Sequence, residues 1–155
     1  MTAAPARSRS RSAARLAAVQ ALYQQEMEAT PVARLLKEFH DHRLGALIED
    51  AQYVDAEREF FDDLVTGVAA RSAEIDAAIS ARLAKGWSLA RLDRPMRAIL
   101  RAGSYELIAR RDVPVGSVIS EYVDVAHAFY DKRESGFVIG LLVAIAKEAR
   151  AAPAG

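Results

Sequence analysis

DRPMRAILRAGSYELIARRDVPVGSVISEYVDVAHAFY, residues 93–130, is the stretch whose reading decides the fold. It divides into two helices at one corner. Asp93 carries a short carboxylate placed to accept from a free backbone N–H of a first helical turn. Pro95 lies inside that turn, where its missing donor is not needed. Behind this start, Met96, Ile99, Leu100, Gly103, Leu107 and Ile108 recur at three- and four-residue steps and so share one helical face. Arg94, Arg97, Arg101 and Arg110 lie mostly off that stripe. The corner is Arg111-Asp112-Val113-Pro114, because the residue before a proline is pushed out of helical geometry and Pro114 can open the next helix. A second stripe follows in Val118, Ile119, Tyr122, Val125, Ala126 and Phe129. Glu106 and Glu121 interrupt apolar surroundings, which predicts pairing with Arg97, Arg101 or Arg110.

Working outward, the same helical period fills most of the chain. A first helix starts near Ser10 or Ser12 and runs to about Glu28, with Leu16, Val19, Leu22, Tyr23 and Met27 as its buried stripe. Thr30-Pro31 ends it and starts a short helix that turns Leu35, Leu36 and Phe39 inward. Residues 40–55 show weak periodicity and read as a loop with a helical turn. Phe60, Leu64, Val68, Ile75, Ile79 and Leu83 mark a long helical segment with a bend or break near Arg71-Ser72. Gly86-Trp87-Ser88 closes this half, with Trp87 expected as a plug between the halves. A last helix spans about Lys132 to Ala149. The fold class expected is all-α, with six or seven helices in two packed bundles. Residues 1–8 form a flexible basic arm, and 9–155 form a single helical domain.

Composition supports a folded helical chain. At 155 residues, 52% hydrophobic and 27% charged, it has enough apolar surface for one core and too much for disorder. No apolar run reaches the length of a membrane span. Cysteine is absent, which excludes disulfides and thiolate zinc sites. Net charge is zero, yet Arg7, Arg9, Arg11 and Arg15 precede the first acidic side chain, Glu26. The result is a basic arm on a mildly acidic body, and the usual partner of such an arm is nucleic acid.

The segments AARLAAVQALYQ (13–24), AILRAGSYEL (98–107), DVP (112–114), VISEYVDVA (118–126) and FV-x-G (137–140), in that order, resemble the bacterial NusB transcription antitermination family. The resemblance implies an RNA-binding antitermination factor, located in the bacterial cytoplasm. Its implied partners are the single-stranded boxA element of ribosomal RNA transcripts, the ribosomal protein NusE and the RNA polymerase antitermination complex. It also implies RNA-facing positions at Arg7, Arg9, Arg11, Arg15, Tyr23 and Phe137. Where that family pattern has asparagine and aspartate, this chain has Ile139 and Val143, four residues apart on one helical face. The alternative reading is a protein–protein module or homodimer built on this apolar last helix.

The residues themselves point to binding rather than catalysis. On a helix, Arg7, Arg11 and Arg15 fall on one side, while Arg9 projects elsewhere. Guanidinium groups fork onto phosphates and stack on unpaired bases. If the arm stands apart from the fold, replacing Arg7, Arg11 and Arg15 by alanine leaves the body folded. Tyr23 reads equally as a core residue. The same arginine- and serine-rich start describes a transit peptide, but Leu16 to Met27 supply a stripe that the first bundle needs. His40-Asp41-His42 lacks the i, i+4 histidine pair of a zinc helix and reads as a solvated loop. No phosphate loop or nucleophile elbow occurs. No enzyme activity, cofactor or metal is expected.

Overall fold

The structure, a computed structural model, describes residues 6–44 and 54–151, with side chains over 8–44 and 57–151. Residues 1–5 of the expected arm, the Arg7 side chain, and 45–53 of the expected loop lie outside the described residues. Among the described residues there are seven α-helices: α1 (Ala6–Glu28), α2 (Val32–His42), α3 (Val54–Ala70), α4 (Ser72–Ser80), α5 (Arg94–Ala109), α6 (Val115–His127) and α7 (Lys132–Ala149). A short 3₁₀ turn covers Leu89–Arg91. The chain forms two compact units, residues 1–69 and 70–155.

In the first unit, α1 begins at Ala6, ahead of the start expected near Ser10 or Ser12. Its core side is made small: Ala14, Ala17, Ala18 and Ala21 have no exposed surface, and Val19 and Leu22 complete the stripe. Alanine here serves both helix propensity and close approach, since α1 packs against α2. Leu35 and Phe39 of α2 are fully buried, and the Phe39 ring stacks on Phe61 of α3 at 5.5 Å between centroids. Met27, expected in the stripe, is 50% exposed. It sits in the last turn of α1, where Ala29 turns the chain out of the helix at φ +54°. His40-Asp41-His42, expected in a loop, lies in the last turn of α2, and His40 Nε2 meets Asp62 Oδ1 of α3 at 2.5 Å.

The break expected near Arg71-Ser72 falls at Arg71, between α3 and α4. In the second unit, α5 is the central helix and packs against α4, α6 and α7. Its start is as the sequence reads: Asp93 accepts from the Met96 N–H at 3.1 Å, with Pro95 in the first turn. Three neighbours bury more than one face, so Ala98, Ala102, Ser104, Tyr105 and Glu106 are buried beside the apolar stripe. Small residues make that possible. A Cβ on Gly103 would stand 3.1 Å from a Leu142 methyl and 3.4 Å from the Tyr122 ring. Glu106 is fully buried and accepts from the Tyr122 hydroxyl at 2.5 Å. Tyr122, on the other arm of the hairpin, was absent from the expected partners. Arg101 forks onto Asp76 of α4 at 2.9 and 3.1 Å. Pro114 is the residue that caps α6, and α7 has the bounds expected.

The corner between α5 and α6 is closed from the far end of the chain. The Arg150 guanidinium donates to the carbonyls of Glu106, Leu107, Arg110 and Val113 at 3.2, 3.0, 2.9 and 2.6 Å. These oxygens belong to the last turn of α5 and the corner after it, where helical donors run out, although the Glu106 oxygen also accepts from the Arg110 N–H and the Arg110 oxygen from the Val113 N–H. Burial pulls the pKa of this guanidinium down from its ordinary value, with Arg111 nearby acting the same way.

Two substitutions test this packing. Ala29→Gly relieves a left-handed alanine, worth roughly 1–2 kcal/mol, against an unfolded-state entropy loss of about 0.4–1 kcal/mol. The expected result is a small rise in thermal midpoint; a fall would show that the +54° turn carries no strain. Tyr122→Phe removes a donor from a fully buried carboxylate and is expected to lower stability by about 1–3 kcal/mol in urea denaturation. A change within error would mean that the hydroxyl contributes nothing.

Candidate nucleic-acid interface

The arginines expected at the RNA surface do not behave as one arm. Arg9 is exposed on α1. Arg11 and Arg15, one turn apart, both face α3. Arg11 Nε donates to Glu57 Oε2 at 3.0 Å, and its Cζ lies 4.3 Å from the Phe60 ring centroid. Arg15 approaches the same ring at 5.0 Å and is 3% exposed. Glu57 is fully buried, and its Oε1 has no hydrogen-bond partner. Two guanidiniums on one aromatic ring and one buried carboxylate form a compact cluster, in which each cation gains ring attraction on top of any ion pairing. The expectation that Arg7, Arg11 and Arg15 can be removed without cost to the fold is therefore corrected: Arg11 and Arg15 are built into the first unit. The reason is the helical step of four, which aligned them as expected but on the side that meets α3.

Tyr23 is half-buried further along α1. Phe137 is 39% exposed on α7, in the second unit. Beside it Ile139 is 41% exposed and Val143 half-buried, so the apolar face noted in the last helix is partly open. Trp87, expected as a plug, is 53% exposed. It sits in a turn at Gly86, where φ is +89°, and its ring lies under the Arg91 guanidinium at 4.9 Å. Sequence reasoning missed Glu57 as the partner of the arm. Glu57 stands among Asp55, Glu59, Asp62 and Asp63 in the same helix, so nothing local to the sequence singles it out. Among the described residues, no group of three or more histidine, aspartate or glutamate side chains could hold a metal.

Fold and surface together define a class: an all-helical chain of two compact units whose first helix carries arginines at its start. The chain belongs to the NusB family, whose family model matches residues 12–147. It is 72% identical over 144 residues to the transcription antitermination protein NusB of Sphingopyxis alaskensis, covering 93% of this chain and 97% of that one. It is 51% identical over 140 residues to the protein of the same name from Caulobacter vibrioides, covering 90% and 94%. Among solved structures it is similar to T. maritima NusB, at a TM-score of 0.71 and 30% identity over 95% of this chain and 94% of that one. A NusB chain solved with NusE and double-stranded RNA matches at a TM-score of 0.76 and 28% identity, over 90% and 98%.

Arg11→Ala is expected to destabilise the protein by about 3–5 kcal/mol, because it strands a buried carboxylate. Arg11→Ala combined with Glu57→Gln should recover a large part of that loss. A double variant no more stable than the single one in urea denaturation would show that Glu57 is not what Arg11 answers.

Proposed function

We propose that this chain is a transcription antitermination factor of the bacterial cytoplasm. In this reading it binds the single-stranded boxA element of ribosomal RNA transcripts together with the ribosomal protein NusE, within the RNA polymerase antitermination complex. The observation that carries the reading is 72% identity to an antitermination protein along 97% of that protein's length. It is a binding role, not an enzymatic one. Arg7, Arg9 and the open side of Arg11 supply cations for phosphate. Arg15, clamped on Phe60, positions the helix that carries them. Tyr23 and Phe137 offer partly open rings on which unpaired bases can stack. A homodimer built on the last helix is the less supported reading. The exposed Ile139 favours it only as a patch, with nothing to show what covers it.

Three phosphate contacts on a single strand predict a log–log salt slope of roughly −2, and Arg9→Ala should flatten it by about 0.7. The measurement is fluorescence anisotropy of labelled boxA RNA with and without NusE, across a salt series, against scrambled and double-stranded competitors. Tighter binding to boxA in the presence of NusE is the expected result. Equal binding to all three RNAs would reduce the arm to a general polyanion contact. An unchanged slope in Arg9→Ala would remove Arg9 from the interface.

A further inference from the structure

Arg101 gives both Nε and Nη2 to Asp76, and Arg110 gives the same pair of donors to Asp112. Arg11 differs. It donates Nε alone to Glu57 Oε2, at 3.0 Å, and makes no other hydrogen bond among the described residues, so Nη1 and Nη2 stay open. Its guanidinium lies over the Phe60 ring, with Cζ at 4.3 Å from the centroid. The Arg11 side chain is 25% exposed, while that of Glu57 is fully buried. Bonded at Nε, covered by a ring and partly open to water, Arg11 keeps free the edge with which a guanidinium forks onto two phosphate oxygens.

Packing alone does not call for Glu57. A buried ion pair is often no more stabilising than apolar residues of the same volume. Here Glu57 Oε1 also lacks a hydrogen-bond partner, which adds a desolvation cost. An apolar side chain in its place would hold α1 against α3 without that cost, but it would not fix the direction of Arg11. A free arginine loses rotamer freedom when it seats on a phosphate, whereas one already held at Nε has lost it on folding. We propose that Glu57 is a positioning residue for RNA: through its bond to Nε it holds the outer edge of Arg11 toward one phosphate of the bound strand. The inference rests on the RNA-binding reading and adds to it a residue that touches no RNA itself. Arg11 then contributes aim where the exposed Arg9 contributes attraction. The open edge would also fit a protein carboxylate. Arg7 and Arg9 precede it with no acid before Glu26, however, and a run of cations matches successive phosphates better than a single acid.

The test titrates a labelled single-stranded RNA with the full-length protein, Glu57→Ala and Glu57→Gln, by anisotropy across a salt series, with circular dichroism to follow folding. Glu57→Ala frees Arg11 but keeps its charge, so affinity should fall about fivefold, the cost of ordering one long side chain, with the salt slope unchanged. Glu57→Gln keeps an oxygen for the Nε–H and should stay within about twofold of the unchanged protein. The electrostatic field alone works in the opposite sense, because removing a carboxylate leaves more positive charge beside the strand. Tighter binding and a steeper slope in both variants would therefore make Glu57 a mask over Arg11 and overturn the proposal. Equal affinity in all three proteins would overturn it as well. A second readout needs no folded variant: the NMR signal of the Arg11 Nε–H should persist in the RNA complex. Its disappearance would mean that Arg11 leaves Glu57 to bind, which also overturns the positioning role. Each of these failures leaves the RNA-binding reading standing. No binding of any RNA by the unchanged protein would overturn both.

Discussion

A fully buried carboxylate is the most demanding group in either unit of this chain. Moving a charge out of water costs several kcal/mol even after relaxation, so each such group fixes what must surround it. Glu57 in the first unit is answered by Arg11, and Glu106 in the second accepts from Tyr122. In both cases the donor comes from another helix. The bond therefore sets the register of two elements: α1 against α3, and α5 against α6. Apolar packing alone would tolerate a slip between helices at modest cost. A slip here would leave a carboxylate without its donor.

The first of these bonds draws stability and function together. Arg11 lies where a basic arm would meet RNA, and it also completes the interior. Phe60 binds Arg15 into the same arrangement. Loss of RNA affinity after changing Arg11 or Arg15 would therefore mix lost contact with lost fold. Arg9 mixes the two less, because its side chain is exposed on α1. Elsewhere, too, arginines serve the backbone. Arg150 seals the end of α5, and Arg97 donates to the carbonyls of Leu89, Ala90 and Leu92 around the turn that precedes it. A count of basic residues therefore overstates the cations available to a partner.

Local signals carried most of the fold. The Asp93 cap, the break at Arg71 and the bounds of α7 follow from side chains that act within one turn of themselves, so the sequence displays them directly. The departures have a common cause. Met27 and Phe129 read as inward from their helical spacing, and Trp87 reads as a plug between the halves. All three lie at ends or turns, where the period no longer fixes direction, and each is 39% exposed or more. The Glu106–Tyr122 bond spans sixteen residues and the Arg11–Glu57 bond forty-six. Pairings at such range depend on how helices cross, which periodicity does not encode. Of the candidate site, charge asymmetry made Arg9 legible as an outward cation. It could not distinguish Arg9 from Arg15, whose guanidinium is turned in.

The exposed arginine of α1 and the two that meet Phe60 differ in what they require of geometry. An arm of arginines needs only charge near phosphate; its free energy comes from released counterions, it tolerates shifts of position, and salt weakens it. The Phe60 cluster needs a ring, two cations and a buried carboxylate at fixed separations, so it holds α1 against α3 but leaves less of its charge to a partner. Attraction then falls to the exposed arginine, and support to the ones held by packing. The turn before α5 is held in the same manner. Gly86 sets the turn that presents Trp87, Arg91 clamps that turn, and Tyr130 ties α7's approach to the cap of α5 through Asp93. Rigid support of this kind comes from arginines whose donors are already committed, so what remains for a partner is set by exposure rather than by count.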